Sequence, residues 1–169
     1  MKKNSVLLGL LFGAGVVFWT AQRREHQRLV TEVLIDAPPE RIWQILTDTS
    51  AYSEWNPVLV SLEGQLQVGR TIEVENRGSS GSMTFTPTVL AVHPSRELRW
   101  LGHLWRPGLF DGEHFFVLTP QPGDRTLMTH GETFSGLLVP LVKRWLYTGV
   151  KQDFLRINEA LKNRAEAEH

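Results

Sequence analysis

From residue 58 to residue 135 apolar and polar positions alternate with a period of two, and on either side of that stretch the period lengthens to that of a helix. Residues 28–36 (RLVTEVLID) open with a half-buried strand, because Leu29, Val33 and Ile35 share one parity. Pro38 and Pro39 end that strand and open a helix over APPERIWQILTD. Its apolar face is Ile42, Trp43, Ile45 and Leu46. Residues 49–57 (TSAYSEWNP) read as a short second helix or turn closed by Pro57. Six strands follow, over 58–63, 71–76, 82–93, 97–104, 110–119 and 125–135. Turn signals separate them, and the short links favour antiparallel hairpins. The chain closes with one long helix over 138–165. Leu138, Leu141, Val142, Trp145, Leu146, Val150, Phe154, Ile157 and Leu161 make its broad apolar stripe. This order predicts an α+β fold in which a curved antiparallel sheet of about seven strands wraps around the C-terminal helix. A helix lying on a curved sheet need not fill the concavity, and the space left beneath it is a natural ligand cavity.

Residues 5–21 (SVLLGLLFGAGVVFWTA) carry no charge, with Lys2 and Lys3 before them and Arg23, Arg24 and Arg28 after. As a helix the run is about 25 Å long at roughly 1.5 Å per residue, close to the span of a bilayer core. Trp19 falls where an interfacial aromatic sits, and as the -3 residue of a cut after Ala21 it disfavours a cleaved signal peptide. The expectation is therefore a single-pass anchor over residues 1–24, a membrane localisation of undecided orientation, and a ligand-binding domain over residues 28–166. Gly9 and Gly13 form a GxxxG pair through which two anchors can pack into a homodimer, a weak signal in a Gly-rich run.

Composition narrows the chemistry. The 169 residues include 18 basic and 18 acidic ones, a formal net charge of +0, so no long-range field draws the chain to nucleic acid. Cysteine is absent, which removes disulfides, thiolate metal sites and cysteine nucleophiles. No His/Glu spacing of a metalloenzyme occurs, and Asp111 and Glu113 have the opposite parity to His114, so no metal is expected. A serine triad lacks its G-x-S-x-G elbow. No other cofactor is implied.

Strand parity locates the remaining candidates. Leu98, Trp100 and Leu104 share a face, as do His114, Phe116 and Leu118, and Met128, His130, Glu132 and Phe134. If these are the inner faces, Trp100, His114, His130 and Glu132 meet on one concave surface, provided no bulge intervenes. The expected ligand-binding set is Trp100, Leu104, His114, Phe116, His130, Glu132 and Phe134, with Leu138, Val142 and Trp145 from the last helix. Two readings of the polar members stay open. They satisfy one another inside the barrel, as buried polar groups must, or they orient a ligand or exchange a proton with it. Tyr52 and Trp55 belong either to the core or to the cavity mouth, and His103 to the surface or the rim.

The segments IDAPPERIWQILTD, YSEWNP, LRWLGHL, LFDGEHFFVLTP, THGETFSGLLVPL and DFLRINEALKNRAE together resemble the SRPBCC, or START-like, superfamily, and within it the polyketide cyclase/dehydrase and lipid-transport group. The resemblance covers about residues 28–166. It implies a helix-grip fold with an internal apolar cavity under the last helix, and it implies no single activity. Three functions follow as expectations. The first is a membrane-anchored domain that binds a hydrophobic small molecule, a lipid or a polyketide-like compound. The second is a cyclase/dehydrase-type enzyme acting on an aromatic or polyketide-like substrate. The third is a tethered interaction domain whose cavity its own aromatics fill.

Overall fold

The computed structural model describes residues 26–79 and 81–167. β1 (His26–Ile35) is followed by α1 (Pro39–Thr47), a 3-10 turn (Thr49–Ala51) and the short α2 (Tyr52–Trp55). Then come β2 (Leu59–Gly64), β3 (Ile72–Gly78), β4 (Gly81–Phe85), β5 (Thr88–His93), β6 (Glu97–Leu104), β7 (Phe110–Gln121) and β8 (Arg125–Ser135). The chain closes with α3 (Val139–Trp145), a π-helical turn (Leu146–Val150) and α4 (Lys151–Glu166).

The strands are all antiparallel and form two sheets, β1-β8-β7-β6-β5 and β2-β3-β4. A bridge between Thr71 and Thr88 stitches the sheets together, with backbone bonds from Ile72 to Pro87 and from Val89 to Arg70. The result is a curved antiparallel surface with the C-terminal helix across it, the helix-grip arrangement. The predicted single strand over 82–93 is two strands. Thr86 and Pro87 break it at the corner between the sheets, where a proline without an N–H costs no ladder bond. The strand count is therefore eight rather than about seven.

The predicted continuous helix over 138–165 is likewise broken, by the π turn. Gly149 lies in that turn, and a Cβ there would stand 2.7 Å from Ser79 Oγ and 3.1 Å from the Trp145 indole nitrogen. The tip of the β3–β4 hairpin thus packs directly on the turn. Asp153 holds it there, its Oδ2 accepting the Ser79 N–H at 2.7 Å.

Proline at the first turn starts α1, which buries Ile42, Ile45 and Leu46 while Trp43 is partly buried against the same core. Tyr52 and Trp55 are core residues, not mouth residues: Tyr52 is 1% exposed and its hydroxyl donates to the Leu46 carbonyl at 2.9 Å. The main core joins them to Ile35, Leu98, Phe116, Met128, Ile157 and Leu161. A second, smaller cluster (Leu29, Phe134, Val139, Leu146 and Phe154) packs the end of the sheet nearer α3.

The expected membrane localisation is corrected here. Among the described residues no helix is long and apolar enough to cross a membrane. The longest, α4, has 16 residues, about 24 Å at roughly 1.5 Å per residue, and Lys151, Asp153, Arg156, Glu159, Lys162 and Arg164 lie along it. The expected anchor over residues 1–24, with its Gly9–Gly13 pairing motif, lies outside the described residues.

Candidate functional site

A cavity of about 240 Å³ opens between the concave face of β6, β7 and β8 and the helical segment α3–α4. Of the ten residues expected to bind a ligand, Trp100, Leu104, His114, Glu132, Phe134, Leu138, Val142 and Trp145 line it. Phe116 and His130 do not reach it. They share the inner face but sit deeper, 1% and 0% exposed, with Phe154, which stacks near His130, between that layer and the open space. His103 is at the rim, where its Nδ1 meets Asp111 Oδ1 at 2.7 Å. Exposed Trp105, Leu137 and Leu141 flank the same end of the domain.

Register explains why these side chains converge. Trp100 on β6 is opposite His114 on β7, which is opposite Glu132 on β8. One step along, Leu98, Phe116 and His130 form the next row. On the other side Gly102 faces Gly112. These two glycines on the inner parity make the hollow between Trp100 and Leu104, and sequence reasoning passed over them. A Cβ on Gly112 would overlap Glu132 Oε1 and lie 3.1 Å from its Cδ, so the absence of a side chain there is what admits the carboxyl.

The polar groups form a buried chain running from the cavity into the core. His114 Nδ1 stands 3.6 Å from Glu132 Oε2, beyond hydrogen-bond range. His114 Nε2 meets His130 Nε2 at 3.1 Å, and His130 Nδ1 meets Asn158 Oδ1 at 2.7 Å. Asn158 Nδ2 donates to Thr31 Oγ1 at 2.9 Å, and the Thr31 hydroxyl donates to the His130 carbonyl at 3.1 Å. Asn158 and Thr31 were not among the expected residues. Their signal was present, since Asn158 falls in the stripe of Phe154, Ile157 and Leu161, and Thr31 shares the parity of Leu29, Val33 and Ile35.

Proton counting fixes the tautomers. A hydroxyl has one proton, and that of Thr31 goes to the His130 carbonyl, so its oxygen accepts from the Asn158 amide. Asn158 Oδ1 then faces His130 Nδ1, which must donate to it. His130 therefore carries its proton on Nδ1 and offers a lone pair at Nε2. His114 must donate there from Nε2, which leaves a lone pair on His114 Nδ1, the nitrogen turned to Glu132. Both rings are neutral. Burial pushes His114 down to about 3. His130 lies well below the usual histidine value, through burial first and the neighbouring His114 second. Burial also pushes the Glu132 carboxyl up to about 8. A neutral imidazole lone pair and a protonated carboxyl are compatible neighbours, whereas a carboxylate there would face a lone pair with no cation beside it. Trp100 stacks on His114 at 4.7 Å and 5°, and Phe154 meets its edge, so the ring has no room to turn.

Gly112→Ala tests this placement. The added methyl drives the Glu132 carboxyl into the open cavity, at a cost of about 1–3 kcal/mol for overpacking. The carboxyl carbon of Glu132, followed by NMR, is expected to titrate closer to an ordinary glutamate than to 8. An unchanged midpoint would show that Gly112 does not position it.

The comparisons with known proteins agree with this architecture. A protein from Mesorhizobium loti superposes with a TM-score of 0.67 at 25% identity, covering 85% of this chain and 99% of its own. The ZhuI aromatase/cyclase from Streptomyces sp. R1128 gives 0.69 at 15% identity, covering 84% and 94%. A START superfamily protein from Mycobacterium smegmatis gives 0.65 at 20% identity, covering 86% and 100%. These last two likenesses establish the fold alone. No curated protein matches the chain. The model of the polyketide cyclase / dehydrase and lipid transport family matches residues 26–166, and the chain belongs to that family.

Proposed function

We propose that this domain binds a compact, hydrophobic small molecule in the cavity under its C-terminal helix. The observation that carries the reading is the cavity itself, whose wall is mostly apolar (Trp100, Leu104, Phe134, Leu138, Val142) with His114 and Glu132 side by side in it. Its volume of about 240 Å³ is at or below the roughly 300 Å³ where pockets for drug-sized ligands begin. That size suits a molecule of a few fused rings or one short chain better than a two-chain phospholipid. The ten residues expected from the sequence divide accordingly. Eight are wall residues, and Phe116 and His130 support His114 from behind.

Native mass spectrometry of the full chain, purified from its own host in mild detergent, tests the reading. A bound apolar compound at one per chain is expected. An empty protein that also binds no member of an aromatic and fatty-acyl panel would sink the proposal in favour of a self-filled interaction domain.

A second reading, a cyclase/dehydrase-type enzyme, is favoured by one observation. Glu132 is a carboxyl held protonated near neutrality at the cavity wall, the state a general acid requires. Turnover of an aromatic or polyketide-like substrate that Glu132→Gln abolishes, with substrate binding retained, would establish it.

A further inference from the structure

The His114–Glu132 pair in the cavity wall has a hydrogen-bonding demand of a particular shape. Glu132 makes no hydrogen bond to any described residue, and His114 Nδ1 stands 3.6 Å from its Oε2. That nitrogen carries a lone pair, by the proton count from Thr31 through Asn158 and His130. It too is without a hydrogen bond among the described residues. Yet neither group is sealed in. Both residues line the cavity, with side-chain exposures of 8% for His114 and 19% for Glu132, and among the described residues neither is one of the fully buried side chains with an unpaired polar atom. The site therefore presents one acceptor, fixed by the network behind it, next to one carboxyl.

The charge around the pair restricts what can fill it. Among the described residues no lysine or arginine lines the cavity. The other carboxyl on its wall, Asp153, is already engaged with the Ser79 N–H and with Arg156. An incoming carboxylate would meet the Glu132 carboxyl and an imidazole lone pair, with Arg156 already committed to Asp153. A pure hydrocarbon would leave both polar groups desolvated and unpaired, at a cost that discriminates strongly against it. A hydroxyl satisfies both at once, because its proton goes to His114 Nδ1 while its oxygen accepts from Glu132. Two atoms separated by 3.6 Å are both within ordinary reach, about 2.8 Å, of one oxygen placed between and in front of them.

We infer that the ligand of this cavity is a neutral apolar molecule carrying a hydroxyl group, an alcohol or a phenol, whose oxygen seats between Glu132 and Nδ1 of His114. This rests on the binding reading above and specifies its chemistry. Gly112 belongs to the same device, because only a residue without a side chain lets the carboxyl lie against β7.

Matched two-ring probes separate the possibilities by calorimetric titration of the full chain at pH 7: naphthalene, 2-naphthol, 2-methoxynaphthalene, 2-naphthoate and 2-naphthylmethylammonium. The naphthol is expected to bind at least tenfold more tightly than the methyl ether, which has no proton for His114, and than naphthalene. The naphthoate is expected to bind most weakly. In Glu132→Leu the naphthol's advantage should fall below threefold, whereas Glu132→Gln keeps a donor and most of the preference. If the leucine variant does not fold, Gly112→Ala provides the same loss by displacing the carboxyl. Equal binding of naphthol and ether, or tightest binding of the naphthoate or the ammonium, would overturn the hydroxyl assignment and leave the cavity reading intact. Failure of all five to bind would overturn the cavity reading, and the assignment with it.

Discussion

Replacing His130 by leucine is expected to destabilise the domain by about 3–4 kcal/mol, the largest effect of any substitution at the polar chain. The side chain is fully buried, and its two ring nitrogens hold Asn158 on one side and His114 on the other. Leucine fills much of the volume but leaves the Asn158 carbonyl and the His114 N–H without partners. Each stranded buried group costs about 1–3 kcal/mol. The loss of ring contacts adds to this, because His130 stacks on Phe116 at 4.4 Å and lies against Phe154 at 4.3 Å. Adding Asn158→Leu should then cost less than Asn158→Leu costs alone. With both partners apolar, one of the stranded groups is gone, and a coupling of at least about 1 kcal/mol is expected for residues in one network. Urea unfolding of the wild type, both single variants and the double variant measures this, provided the m-value stays constant. Additive costs would mean that the four side chains stand side by side without acting as a unit.

The convergence of that network was readable from the sequence because β6, β7 and β8 pair without a register shift along their whole facing length. Parity is reliable only under that condition. Where bulges do occur, between Leu59 and Ser61 and between Val89 and Ala91, no site residue depended on them. Depth was not readable. Trp100 and Phe116 sit on the same inner face, yet one borders the cavity and the other does not. Phe154 and Asn158 of α4 close over His130 in the Phe116 row, a long-range fact that no strand pattern encodes. The break in the C-terminal helix was hidden for the same reason. Its apolar stripe runs on through residues 146–150, and the π turn coincides with the docking of the β3–β4 hairpin tip against Gly149 and Asp153. The split at Pro87 was legible in principle, since a proline in a strand signals an edge or a corner, but the alternation through residues 82–93 outweighed it.

The polar chain also gives the domain a distinctive dependence on pH. In the unfolded chain Glu132 loses its proton near 4.5, while in the folded protein it keeps it to about 8. Protonation of Glu132 thus favours the folded state, and its contribution is fully present below 4.5 and lost as pH rises to 8. His114 behaves oppositely. Its folded value of about 3 lies below the ordinary 6.5, so its contribution is present above 6.5 and lost on acidification. His130 acts in the same sense. The carboxylates of Glu97 and Glu166 are held down by hydrogen bonds from Arg99 and Lys162 respectively, and weigh only on the acid side of 4.5. Burial raises the Tyr52 hydroxyl, which matters only above its ordinary value near 10. Between pH 6.5 and 8 the folded chain holds the Glu132 proton that the unfolded chain has lost, a slope of about 1.4 kcal/mol per pH unit that halves as pH reaches 8. At the lower end of the interval His114 and His130 oppose it, because they are neutral when folded and partly protonated when unfolded. Stability is expected to fall by about 1 kcal/mol net, a drop of about 2–4 °C in melting temperature for a domain of this size. Glu132→Gln cannot ionise and should melt slightly higher at pH 8.0 than at 6.5, overtaking the wild type toward pH 8. Thermal melts at pH 6.5, 7.2 and 8.0 decide the matter. A flat wild-type profile, or an equal slope in the glutamine variant, would mean that Glu132 is already ionised at neutrality, and the cavity would then offer a ligand a carboxylate in place of a hydrogen-bond donor.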